Sequence, residues 1–228
     1  MTLDETMQAL REMGTEQNRK VYARHGAGPN TFGVSFANLG KLKKQIRTDH
    51  SLARELWASG NTDAMTLATM VADPSSVTAV ELDGWLRDLS YYMLADLLAG
   101  FVAKTPHAAK KREQWTQGKE DLKAQTGWNL VGFAAMQDTS LDDAYFAARI
   151  AEIESKIHSA KNRTRHAMNG ALIAIGMRNE SLKKLAVAAA RRIGKVVVDH
   201  GETGCVTPDA IAYIDKAEES KRRRQRPR

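Results

Sequence analysis

Five prolines punctuate the 228-residue chain, and each falls between apolar segments rather than inside one. Pro29 sits in GAGPN, Pro74 in DPSS, Pro106 in KTPH, Pro208 in VTPD and Pro227 in the closing residues. A proline inside a helix removes a backbone donor and clashes with the preceding turn, so the intervening stretches are free to be helical. Within them apolar residues recur every three or four positions. Leu52, Leu56 and Trp57 are followed by Met65, Ala68, Met70 and Val71 across a Gly60-Asn61 turn; Ile150, Ile153, Ile157 and Leu182, Leu185, Val187, Ile193 continue the pattern. This is the amphipathic helix period, and two-residue alternation occurs only briefly at Val196–Val198. Asp49-His-Ser, Asn61-Thr-Asp, Ser140-Leu-Asp-Asp and Ser181 offer capping side chains ahead of the apolar-periodic runs. The spacing predicts an all-α fold of roughly eleven to thirteen helices. Helix pairs over 48–72, 80–104, 118–157 and 160–195 suit either a helical solenoid or an irregular bundle.

Composition narrows the class. Hydrophobic residues at 43% and charged residues at 27% exclude a mostly disordered chain. One cysteine, Cys205, excludes an internal disulfide framework. No apolar run is long enough for a membrane span, and the MTLDE start is acidic without an apolar run behind it, so a cytoplasmic protein is expected. The net charge of +7 is concentrated at one end. Residues 221–228 hold six basic groups, leaving 28 basic against 27 acidic elsewhere. We expect a helical domain over 1–200, a loop and helix over 201–219, and a disordered basic tail over 220–228. In that tail Arg222, Arg223 and Arg224 either attract polyanions or solubilise the end.

Several residues stand out from their helices. Asp96 is the only charge between Tyr91 and Ala103. A buried lone carboxylate needs a partner, a water-lined cleft or a cationic ligand; the alternative is a narrow exposed stripe. Tyr92, one turn earlier, shares its face. Asn169 and Asn129 interrupt apolar runs and suit either a cleft or a satisfied interhelix hydrogen bond. Lys184, Arg191 and Lys195 are spaced seven and four apart, on one side of a helix. Lys110, Lys111, Arg112, Lys161, Arg163 and Arg165 add positive charge at or near helix starts, fitting phosphate contacts or a solvated face.

Four stretches resemble the AlkD-like, HEAT-repeat DNA alkylation repair glycosylases. They are FGVSFANLGKLKK with LARELWASG, AMTLATMVADP, LDGWLRDLSYYMLAD ending at Asp96, and RHAMNGALIAIGMRN from Arg165 to Asn179. The resemblance runs over about residues 30–195. It implies a solenoid of HEAT-like helix pairs (an α-α superhelix) whose concave basic face holds duplex DNA, alkylated in the family's substrates. It also implies hydrolysis of the N-glycosidic bond of cationic alkylpurines such as 3-methyladenine and 7-methylguanine, by a monomer, with no metal and no cofactor. A cationic base is already a good leaving group, so a carboxylate beside aromatic rings suffices to stabilise an oxocarbenium-like sugar and orient water. On this reading Asp96 and Tyr92 are the catalytic candidates, and Trp85, Trp128 and Asn169 line the substrate cleft. The DNA-binding candidates are Lys110, Lys111, Arg163, Arg165, Lys184, Arg191, Lys195, Arg222, Arg223 and Arg224.

The chain also departs from the family pattern. Tyr92 stands where the family has tryptophan, Gly170 where it has a second one, and Gln125 or Thr126 where it has an arginine. A non-catalytic DNA-binding or protein-binding scaffold is therefore the alternative function. His200 and Cys205 share a glycine-rich loop that serves as a structural cap or, as a remoter rival, a thiol or metal site.

Overall fold

A computed structural model describes the backbone of residues 1–225 and the side chains of all of these except 221, 222, 224 and 225. Thirteen helices and no strand are found among the described residues; the one β-bridge joins Gly14 to Val34. The chain forms two compact units. The first is Met1–Lys111 with His200–Gly204, the second Arg112–Asp199 with Cys205–Arg228.

The first unit contains α1 (Leu3–Met13), α2 (Glu16–Arg24), α3 (Phe36–Ile46), α4 (His50–Ala58), α5 (Thr62–Val71), α6 (Ala79–Arg87) and α7 (Tyr92–Val102). Its core gathers Leu39, Leu42, Leu56, Leu67, Leu82 and Leu98, all nearly or fully excluded from solvent. Each such side chain contributes about 1.5–3 kcal/mol of burial. Trp57 and Trp85 stack with centroids 4.4 Å apart and planes 7° from parallel, and Trp57 Nε1 donates to Asp88.

Asp63, in the first turn of α5, is 2% exposed. It accepts from Thr31 Oγ1 (2.7 Å) and from the backbone N–H groups of Phe32, Gly33 and Val34 (2.6, 3.0 and 2.9 Å). Those donors form the segment between α2 and α3, so one carboxylate stitches a loop to a helix thirty residues later. Gly33 takes φ 79°, and a Cβ there would lie 2.5 Å from the Thr15 carbonyl oxygen. Only glycine fits.

α8 (Ala108–Thr116) crosses the division in the chain. The second unit then holds α9 (Asp121–Gln137), α10 (Asp143–Lys156), α11 (Asn162–Gly176), α12 (Glu180–Ile193) and α13 (Ala210–Gln225). Its core includes Phe146, Ile153, Leu172, Ile175, Leu182 and Ile214. Gly127 of α9 lies against the end of α8: a Cβ there would stand 2.3 Å from the Thr116 nitrogen. Asp121 plays the part of Asp63 in this unit, accepting from the N–H groups of Arg163 and Thr164 and from the Thr164 hydroxyl.

Asp49 and Asn61 cap their helices as the sequence predicts. The Ser140–Asp143 stretch supplies its cap through Asp142, while Asp138 holds Ser140. One cap moves: Asn179 does the work expected of Ser181, because its amide oxygen accepts from Leu182 N. Helix α13 extends to Gln225, so residues 220–225 of the tail expected to be disordered are helical. Residues 226–228 lie outside the described residues. No helix among the described residues is long and apolar enough to cross a membrane.

Candidate nucleic-acid interface

Helix α7 presents Asp96 to solvent, while Leu94, Ala95, Leu98 and Ala99 beside it are buried. The apolar stretch wraps three sides of the helix and leaves Asp96 on the fourth. The exposed-stripe alternative therefore describes it, and the burial penalty that singles it out in the sequence is not incurred. Tyr92 is half-buried, and its hydroxyl lies 2.6 Å from His25 Nδ1. Next to it, burial above all, reinforced by Tyr92, Tyr22, Asp63 and Asp96, pushes the phenol of Tyr91 well above its ordinary value.

The three residues expected to line a cleft are in the interior. Trp85 is 5% exposed in the Trp57 stack, and Trp128 is 1% exposed in the core of the second unit. Trp128 does border a cavity of about 250 Å³ that Lys119, Lys156 and Lys161 also line. Asn169, 2% exposed, donates from Nδ2 to the Pro208 carbonyl at 2.9 Å. It is a satisfied interhelix group that ties α11 to the start of α13.

The positions that depart from the family pattern are equally plain. Thr126 is fully buried with its hydroxyl on the Leu122 carbonyl, and Gln125 is 3% exposed. Gly170 is exposed on α11, and a Cβ there would meet nothing within 4 Å.

The basic candidates divide by environment. Lys184 and Arg191 are exposed on α12, and Lys110 is exposed on α8. Lys111 is not at the surface: it is 2% exposed and paired with Asp83 at 2.7 Å, because neighbours in a helix point about 100° apart. Arg165 spends its guanidinium on four carbonyls, those of Ile157, His158, Ala160 and Val197, and so closes loops. Arg163 is half-buried. Lys195 is exposed but lies beyond the end of α12, where Gly194 at φ 68° stops the helix, so it does not continue the Lys184–Arg191 row. Leu185, expected on the apolar side of α12, is 45% exposed; Ala186, Ala189 and Ala190 take the buried positions instead. Arg223 is exposed and pairs with Glu219 at 3.9 Å. The side chains of Arg222 and Arg224 lie outside the described residues.

Cys205 is exposed, and the His158 ring nitrogen Nε2 lies 2.8 Å from the Ile193 carbonyl oxygen. Among the described residues no group of three or more His, Cys, Asp or Glu side chains is placed to hold a metal ion. Two features escape the sequence reading. One is Asp63, whose partners are remote in sequence. The other is α3, where Lys41, Lys43, Lys44 and Arg47 are exposed; a run of four cations without an acid between Phe36 and Arg47 is the signal that finds them.

A fold of paired helices of this kind is that of the HEAT-like repeat proteins. A solved structure from a family of proteins related to the HEAT-like repeat DNA glycosylases, with affinity for branched DNA structures, superposes with a TM-score of 0.90. It shares 28% identity, with 97% of this chain and 96% of that one covered. Residues 6–214 match the model of the DNA alkylation repair enzyme family, and the chain belongs to that family. Two uncharacterized relatives are Lin0241 of Listeria innocua, 33% identical, and Lmo0209 of Listeria monocytogenes, 31% identical. Each comparison covers 94% of this chain and 95% of the relative.

Proposed function

We propose that this protein binds DNA, branched DNA above linear duplex, and that base excision is not its main activity. The observation that carries this reading is Gly170: where the family resemblance calls for a tryptophan, α11 offers bare, exposed backbone. The arginine of the pattern is also replaced, by buried Gln125 or Thr126. The cleft that the resemblance implies would therefore lack both its second ring and its catalytic arginine. Binding needs neither. Phosphate contacts ask only for exposed cations, and Lys110, Lys184 and Arg191 are available for them. Membership of a DNA repair family, and the affinity of a structural relative for branched DNA, support the choice of partner.

The second reading, excision of 3-methyladenine or 7-methylguanine, draws on Asp96. Its carboxylate is exposed one turn after an aromatic residue, where it can meet a developing sugar cation. One experiment separates the two: base release from methylated duplex alongside binding to a four-way junction and a linear duplex, for wild type and Asp96→Asn. We expect salt-sensitive junction binding that survives the substitution, with release at the level of the protein-free control. Release that falls at least about tenfold in Asp96→Asn reverses the assignment and makes the protein a glycosylase.

A further inference from the structure

Elsewhere in the molecule, many cations are neutralised locally. Lys111 pairs with Asp83, Arg112 with Asp138, Arg192 with Glu154 and Lys183 with Asp215. Helix α3 differs. Lys41, Lys43, Lys44 and Arg47 are all exposed, and none makes a salt bridge with a described residue. No acid lies between Phe36 and Arg47 to screen them.

Their arrangement is ordered. At about 100° per residue, Lys43, Phe36, Gly40, Lys44 and Lys41 fall in that order across one broad stripe about 160° wide, and Arg47 follows as the residue that caps the helix. Leu39 and Leu42 are buried on the opposite side. Phe36 is 45% exposed at one end of the stripe, and a Cβ on Gly40 would meet nothing within 4 Å, so a ligand can approach the backbone between the ring and the cations. At the other end Arg47 has φ 65° and ψ −113°, and it is the only non-glycine residue with positive φ among those described. Glycine would hold that conformation at lower cost. An arginine kept there under strain projects its charge at the end of a basic row.

We propose that the Phe36–Arg47 face of α3 docks a nucleic-acid strand carrying an unpaired base, with the four cations along its phosphates and Phe36 stacked on the base. From Lys41 to Arg47 a helix advances about 9 Å. At about 3.4 Å per phosphate along one strand, that matches roughly three phosphates. An exposed ring beside a cationic row is the combination that single-stranded segments use, because every base has a face to stack. Branched DNA offers such segments where its strands part, so the proposal rests on the DNA-binding reading and gives it a surface in the first unit.

The test uses the full chain and two fluorescent probes, a forked duplex with a single-stranded arm and a blunt duplex, titrated at several salt concentrations. Lys43→Gln/Lys44→Gln should weaken fork binding and reduce the slope of log affinity against log salt by about 1.4. Phe36→Ala should weaken the fork about tenfold and the blunt duplex less than about twofold. Arg47→Gly should weaken fork binding while raising the melting temperature, a pairing that an arginine with a purely structural role would not give. Fork binding by the wild type with an unchanged slope in the double variant overturns α3 as the surface and leaves the DNA-binding reading standing. Equal losses on both probes in Phe36→Ala overturn the unpaired base in favour of plain duplex docking. A wild type that binds neither probe removes the proposal and the DNA-binding reading together.

Discussion

Asp63 and Asp96 are carboxylates on helices of the same unit, and their surroundings are opposite. Asp63 sits near a helix start in a polar-looking stretch, NTDAM, yet it is buried and accepts four hydrogen bonds from the Thr31–Val34 segment. Asp96 sits in the most apolar stretch of the chain and faces water. The difference teaches that the neighbours of a charge in sequence do not decide its burial. What decides it is which side of the helix it occupies and whether distant backbone donors are aimed at it.

That contrast can be broken most sharply by substitution. Asp63→Ala should cost about 3 kcal/mol or more, since it strands several buried donors at once. Asp96→Ala should stay within about 0.5 kcal/mol, as exposed substitutions do. Urea denaturation of the two variants measures both, and similar losses would erase the distinction.

A parallel contrast exists between two helical glycines of the second unit. Gly127→Ala drives a methyl into the backbone at the end of α8 and should destabilise by about 1–3 kcal/mol. Gly170→Ala meets open space in mid-helix and should stabilise by up to about 1 kcal/mol. Thermal melts of the pair suffice, and a destabilised Gly170→Ala would mean that something occupies that opening.

The smallest effect concerns a third carboxylate, Asp73, which is held by hydroxyls. Hydrogen bonds from Ser76 and then Ser75 lower its pKa to about 2. With the folded value below the unfolded one, its contribution to stability is present above about pH 4 and is lost as the pH falls through about 2. A carboxyl-resolved NMR titration should find that low value in the wild type and a return toward 4 in Ser75→Ala/Ser76→Ala. A wild-type midpoint near 4 would rank Asp73 with ordinary surface acids.

Much of the helical framework was legible because its signals are local. Prolines, caps and the three-to-four spacing act within one or two turns, and they located the pairs α4–α5, α6–α7, α9–α10 and α11–α12. The candidate site was less legible because its determinants are angular or remote. Lys110 and Lys111 are adjacent in sequence, yet one is exposed and the other is buried against Asp83. Arg165 looks like a surface cation until the carbonyls of four loop and helix-end residues are seen around it. Trp85 and Trp128 carry the resemblance to a cleft but lie in the interior, since large rings contribute more to a core than to a surface.

The five residues His200–Gly204 belong to the first unit although the chain on both sides of them belongs to the second. Gly201 approaches α2 there: a Cβ on it would lie 3.8 Å from the Arg24 carbonyl oxygen. Neither unit is therefore one continuous stretch of polypeptide. On the ribosome, the amino-terminal half must wait for the last of its contacts until residue 204 has been synthesised. At about 5–20 residues per second that delay is roughly 5–20 s after Lys111 is added. A gene cut at the 111/112 junction would hand those five residues to the wrong fragment, so the two halves cannot be exchanged between relatives by a single crossover without separating His200–Gly204 from the unit they complete.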